Sequence, residues 1–470
     1  MKDTRIGSSC NTFLHVHKNR NDVLFSVSPY IRTYTNGPPL DPSMASASTS
    51  TRTALTLVGF LDLLADIEYT VARQCLLPNP LCLMFVAKSM QRILRKVRPL
   101  VYIRQKRLKC APATIQKALV RLCTLSCVAS LQVRPMAMDD EGALSLVRAI
   151  GCCEKLQKLK LSFDQASDRA LGTVVDSFAS CRALQQLCVQ WRGGDATDCV
   201  PHALASVLPR LATLKSIDLK SNYLTSEHMR QISLALGFCK NLECLYLPYN
   251  SITDDGATCL AKALGSMPAL HCLDLRQNYI QDAGMQAVCR DLVACTALQD
   301  LNLSFNEISM ASVFFSPPLL AKLSTLQVFE LCQNNVGPLN AKLLSAGLSG
   351  LAFLRVLVLN SSNLQHEGVQ HIAERLGSCT RLETLCLTGN NINAQGSKPL
   401  AQILLVCSKL RELDVTCNQL GFSCPLTLMP SLAICTSLRT LRLSINNIPH
   451  SCIAELERFS HAQELHFKVF

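Results

Sequence analysis

Twenty-five cysteines and ten histidines are the side chains of this 470-residue chain best suited to ligate a metal or to serve as nucleophile and base. Their spacing argues against both uses. The chain contains no HExxH run, no GxxxxGK[ST] phosphate loop and no Cys/His quartet at zinc-finger spacing. His228, His271 and His366 each stand among ordinary polar residues, and no nucleophile is accompanied by a base and an orienting group. The sequence therefore reads as non-enzymatic, with no cofactor, no metal and no small-molecule substrate. Seven of the cysteines follow another rule. Cys153, Cys181, Cys239, Cys295, Cys379, Cys407 and Cys435 each stand three residues before a recurring leucine, where other copies place Leu211, Met267, Leu323 or Leu351. A slot shared by cysteine, leucine and methionine is an apolar, buried one, and cysteine fills it as a small hydrophobe. Reduced thiols and an intracellular, cytoplasmic protein are the expectation.

The recurring leucine marks the elements that position everything else. Leu214, Leu242, Leu270, Leu298, Leu326, Leu354, Leu382, Leu410 and Leu438 follow one another at 28-residue steps, preceded by Leu156 and Leu184 and one 30-residue step. Within one copy, Leu242, Leu245 and Leu247 suit a short strand with its leucines turned inward, and Asn250 and Ile252 mark a bend. Asp254 and Asp255 then open a helix whose Ala257, Leu260, Ala261 and Leu264 fall on one side. One strand and one helix cannot bury their shared apolar face alone, so the copies must stack. The array starts weakly at Val128, through Leu131 and Val133, and its last strand is expected near Ala462, Leu465 and Phe467, giving about 12 units plus a terminal strand over residues 128–470. Hydrophobic residues at 49% and charged ones at 17% suit such an interior.

The pattern LxxLxLxxN followed by a helix resembles the ribonuclease-inhibitor type of leucine-rich repeat, a class that also occurs in Ran GTPase-activating proteins, NOD-like receptors and axonemal and cytoskeletal proteins. The resemblance implies a curved α/β horseshoe, with a parallel sheet inside and helices outside. It also implies that Asn222, Asn250, Asn278, Asn306, Asn334, Asn390, Asn418 and Asn446 form a stacked amide ladder at the bends. Asp164, Arg192 and Ser362 depart from that pattern, and the ladder is expected to be weaker there. The missing phosphate loop separates the chain from NOD-like receptors, and its Phe467-Lys468-Val469-Phe470 end differs from the acidic tail of the Ran-activating family.

Ahead of the array, residues 1–53 are polar and irregular and carry no clean signal peptide, so disorder is expected there. Residues 54–127 read as a helical cap. The chain's net charge of +12 resides entirely in residues 1–127, and no acidic residue occurs between Glu68 and Asp139. The basic segment 88–121 is read first as the solvated face of that cap. An electrostatic contact with an anionic membrane or nucleic acid is the sharper alternative.

The residue between the second and third inward leucines should point into the concavity. Read along the units, that slot holds Lys160, Cys188, Asp218, Tyr246, Asp274, Asn302, Glu330, Val358, Cys386, Asp414 and Arg442. Asp218, Tyr246, Asp274, Asn302, Glu330 and Asp414 are the candidate protein-binding residues, suited to a partner with a basic surface. Trp191, the only tryptophan, joins them from the lengthened unit, beside Arg192-Gly193-Gly194-Asp195. The reading is a non-catalytic cytoplasmic scaffold, with cytoskeletal association as a further expectation. A GTPase regulator resembling the Ran-activating family and a membrane-surface or nucleic-acid adaptor are the alternatives.

Overall fold

The computed structural model describes residues 12–19, 22–29, 100–103, 129–137, 140–165, 167–191, 198–309, 320–462 and 468–469. The chain forms two units, Met1–Asp195 and Ala196–Phe470. The division falls in the one 30-residue step of the repeat.

In the first unit, β1 (Thr12–Asn19) and β2 (Asp22–Pro29) form an antiparallel pair inside the segment read as irregular. Four parallel strands follow: β3 (Leu100–Ile103), β4 (Ser130–Ala137), β5 (Lys158–Gln165) and β6 (Gln186–Trp191). The sheet thus begins one strand earlier than the Val128 boundary. Val101 pairs with Leu131 and Ile103 with Val133, so Val101 and Ile103 take the second and third leucine slots. Arg98 stands where the first leucine belongs, which is why the copy escaped the pattern. The rest of the cap region and of the basic segment 88–121 lies outside the described residues.

In the second unit the strands shorten to three residues. They are β7 (Ser216–Asp218), β8 (Cys244–Tyr246), β9 (Cys272–Asp274), β10 (Asp300–Asn302), β11 (Val328–Glu330), β12 (Val356–Val358), β13 (Thr384–Cys386), β14 (Glu412–Asp414) and β15 (Thr440–Arg442), with β16 (Lys468–Val469) pairing last. Each pairs in parallel with the next at a constant 28-residue offset. The terminal strand therefore stands at Lys468–Val469, past the position expected for it. The central residue of each of β7 to β15 is buried, and the returning helices, such as Asp254–Leu264 and Asp282–Leu292, cover that side. Adjacent helices approach closely at their first turns: a Cβ on Gly284 would lie 2.7 Å from the Cα of Asp254. Pro425 and Pro430 both lie within a helix, Cys424–Ile434. Pro425 sits in the first turn, where its missing N–H has no helical partner to lose.

The asparagine ladder is present. Asn278 donates from its side-chain amide to the carbonyls of Leu275 (2.9 Å) and Leu247 (3.0 Å), and its Oδ1 accepts the N–H of Ile252 at 3.2 Å. Asn306 and Asn418 repeat this pattern. Asn334 and Asn446 do so with a longer bond to the upstream N–H. Asn250 and Asn390 bond the upstream carbonyl and N–H in the same way, and Asn222, also buried, donates its backbone N–H to Asn250. Ser362 keeps only the donor half: its hydroxyl reaches Leu331 O at 3.2 Å. The Val336 N–H turns instead onto Asn334 O, and the following helix starts at once, at Gly337. Asp164 lies within β5, which runs on for eight residues. Without the amide to satisfy a bend, the chain stays extended.

Each bend also places the residue before the asparagine in the left-handed region. Tyr249 (φ 59°), Gln277 (52°), Phe305 (56°), Gln333 (55°), Cys417 (58°) and Ile445 (56°) all do so, and Gly389 (66°) takes the same slot. Tyr249 and Phe305 are exposed, so they do not serve the core.

The recurrent cysteines form a second ladder. Cys239, Cys295 and Cys379 donate to the carbonyls of Leu208, Leu264 and Leu348, each 31 residues upstream at the end of the preceding helix. Burial pushes the thiols of Cys239 up to about 11 and of Cys295 and Cys379 up to about 12. These cysteines are structural.

Candidate partner-binding face

Strand alternation turns the residues flanking each buried central position toward the face opposite the helices. Asp218, Tyr246, Asp274, Asn302, Glu330, Val358, Cys386, Asp414 and Arg442 fall in one unbroken cross-strand register. The slot expected from the leucine spacing is thus a single row, with neighbouring members about 5 Å apart.

The row has an internal logic that the sequence reading missed. Asp274 Oδ1 accepts the N–H of Arg276 at 3.1 Å, and Asp218, Asn302 and Asp414 do the same for the residue two further on. Short side-chain oxygens here satisfy the backbone where the strand ends, as in an Asx turn. The prevalence of Asp and Asn in the row is therefore partly structural. Two of the acids also have internal counter-charges: Arg276 lies 3.3 Å from Asp274, and Arg442 lies 3.1 Å from Glu412 and 3.8 Å from Asp414.

Glu330 is different. Its backbone role is absent among the described bonds, and its carboxylate accepts from Asn302 Nδ2 at 2.8 Å. Burial raises its carboxyl above the usual range, and Asp274 and Asp300 add to the rise against Arg276 and the Asn302 bond. Asp274 is raised as well, again by burial first, with Asp218 adding. Asp300, on β10 two residues before Asn302, belongs to the same face and is also raised by burial. Asp274, Asp300 and Glu330 form a cluster on three adjacent strands, close enough that Asp274 and Asp300 both act on Glu330. Reading only the slot between the second and third leucines missed Asp300. The period of two along a strand places it on the same side and is the signal that finds it. Cys244 and Cys272 share that earlier column.

Trp191 does not present its ring to a partner. It is 7% exposed and pairs in register with the buried Phe163, so it anchors the interior, and residues 192–197 lie outside the described residues. His228 is structural too. It completes a capping box with Thr225 and lies 3.2 Å from Asp198. Among the described residues no group of three or more His, Cys, Asp or Glu is arranged to hold a metal ion, and no helix is long and apolar enough to cross a membrane.

The family model described as "Leucine Rich repeat" matches residues 238–261, 267–289 and 406–421. These segments lie on repeats that carry the ladder, and there the chain is similar to the leucine-rich repeat. No curated protein sequence matches the chain. Among solved structures, an internalin (inlF) from Listeria monocytogenes is 18% identical, with 73% of this chain and 87% of that one covered and a TM-score of 0.48. A leucine-rich-repeat protein of Leptospira interrogans is 18% identical, with 78% and 100% covered and a TM-score of 0.36. TLR13 in its complex with ssRNA13 is 15% identical, with 76% and 59% covered and a TM-score of 0.40.

Proposed function

We propose that this chain is a non-catalytic interaction scaffold of the ribonuclease-inhibitor type, working in the cytoplasm and binding a basic segment of a partner protein on the strand face of Ala196–Phe470. The observation that supports this reading most is the carboxyl cluster of Asp274, Asp300 and Glu330, with Tyr246 one strand away from Asp274. Burial holds these carboxyls above their usual range, and a lysine or arginine brought to them favours their ionised forms. Tyr246 offers a flat anchor with little rotamer entropy to lose.

The test is charge reversal at the two members free of turn duty. Asp300→Lys with Glu330→Lys is compared with wild type in quantitative pull-downs from native extract, at two salt concentrations. Partners should be lost or reduced at least tenfold while circular dichroism shows an unchanged fold, and wild-type capture should weaken with salt. Recovery of the same partners by the double variant defeats the proposal. Asp274→Lys is the poorer choice, because that carboxylate also holds the Arg276 N–H.

A further inference from the structure

We infer that Cys244 and Cys272 form a reactive dithiol on the strand face, one that undergoes exchange with small-molecule disulfides of the glutathione class and closes to a cross-strand disulfide. The two residues are directly paired between β8 and β9. The alternation that buries Leu245 and Leu273 turns both thiols onto the open face, where each is half-buried rather than sealed. Directly paired residues on neighbouring strands have Cα atoms about 5 Å apart, inside the window of about 4.4–6.8 Å that a disulfide spans. The same column holds Ser216, Asp300, Val328, Val356, Thr384, Glu412 and Thr440 in the other three-residue strands, so this is its only adjacent pair of cysteines.

The surroundings separate this pair from the structural cysteines. The ladder thiols are buried against helix-end carbonyls, which leaves them inert. Cys244 instead lies opposite Cys272 in the β8–β9 register, and hydrogen bonding between the two thiols is the main influence on its proton. That bond outweighs the cost of partial burial, the Tyr246 hydroxyl and His271 act in the same direction, Glu243 opposes, and the Cys244 thiol is brought down to about 6. Cys272 is pushed up by the same bond, as the thiol that keeps its proton. One thiolate beside one thiol, with a hydroxyl at hand, is the arrangement of an attacking and a resolving cysteine.

The exchange balances in two steps. The Cys244 thiolate attacks one sulfur of oxidised glutathione, forms a mixed disulfide and expels a glutathione thiolate, which takes a proton from water. Cys272 then gives its proton to solvent, attacks the Cys244 sulfur and expels the second glutathione. The protein pair loses two electrons, and the glutathione disulfide gains them as two thiols. Closure ties β8 to β9 beside Asp274 and removes both thiols from Tyr246. It needs no partner on the acidic row, so it stands or falls separately from the proposed binding.

The experiment treats the reduced full chain with oxidised glutathione, quenches with acid and an alkylating reagent, and maps cysteine peptides by mass spectrometry. A linked Cys244–Cys272 peptide should accumulate before adducts appear on the exposed Cys152, Cys199 and Cys417. In Cys272→Ser the mixed glutathione disulfide should persist on Cys244, because nothing resolves it. In the wild type, closure of the pair should run ahead of adduct formation on Cys417 by a wider margin at about pH 6 than at about pH 8, where ordinary thiols ionise more. Wild-type Cys244 and Cys272 recovered as free thiols after Cys417 has reacted would overturn the inference. A Cys272→Ser protein that carries no adduct on Cys244 would overturn it as well.

Discussion

The side-chain oxygen of Asn278 accepts the backbone N–H of Ile252, 26 residues earlier in the chain, at 3.2 Å. That single bond joins one repeat to the one before it at the point where each strand turns toward its helix. The amide of the same side chain holds two carbonyls, Leu275 in its own repeat and Leu247 in the preceding one. Asn278 is 4% exposed, so water cannot replace these partners.

Asn278→Leu should therefore leave the Ile252 N–H unpaired in the interior, while the carbonyls of Leu247 and Leu275 keep their bonds to Asn250 and Asn306. The expected loss is about 1–3 kcal/mol, the usual cost of a buried unsatisfied group. Ser362→Ala removes only one donor and should cost less, about 1 kcal/mol. Urea midpoints of the two variants check the order, and an unchanged midpoint for Asn278→Leu would show that the ladder does not hold the array together.

How much of this was legible beforehand depends on what each residue must do. Leu245 and Asn278 recur because every copy needs the same buried apolar contact and the same amide, so spacing alone revealed the strand, the bend and the row from Asp218 to Arg442. Val101 was hidden because Arg98 replaces the first leucine of its copy and only the backbone pairing shows the strand. Trp191 was misjudged because its rarity says nothing about which way the strand turns it, and β6 turns it inward. Asp300 and Cys244 were passed over because the slot between two leucines was read without its neighbour two residues away. The Asx role of Asp274 was out of reach, since an acid that binds a partner and an acid that holds a turn look alike in sequence.

The left-handed backbone before each ladder asparagine yields a second prediction. Cys417 sits there at φ 58° and is exposed, so its side chain contributes little packing. A side chain in that region costs about 1–2 kcal/mol, while glycine adds back about 0.5–1 kcal/mol of unfolded-state entropy. Cys417→Gly should accordingly stabilise the fold by about 0.5–1 kcal/mol, in the manner already adopted at Gly389. Thermal melting in reductant is the measurement. A lower melting temperature would mean that the Cys417 side chain does more than its exposure indicates.

Glu330 gives the last prediction, in which folding and binding respond to pH with opposite signs. Its carboxyl is raised above the usual range, by burial first and then by Asp274 and Asp300. In the unfolded chain it titrates near the ordinary value of about 4.3. Between that value and the raised one, the folded protein keeps a proton that the unfolded chain has released. The stability contribution of this group is therefore largest at acid pH, falls as pH rises through the window, and stays reduced above it. Glu330→Gln removes the titration while its amide oxygen can still accept from Asn302. Denaturant midpoints at about pH 4 and about pH 7 should thus show a smaller fall with rising pH in Glu330→Gln than in wild type. Binding of a basic segment runs the other way, since a cation favours the ionised carboxylate, and should strengthen across the same window. A Glu330→Gln protein whose stability follows pH as the wild type does would remove Glu330 from the carboxyls raised by burial, and with it one of the three groups on which the proposed binding rests.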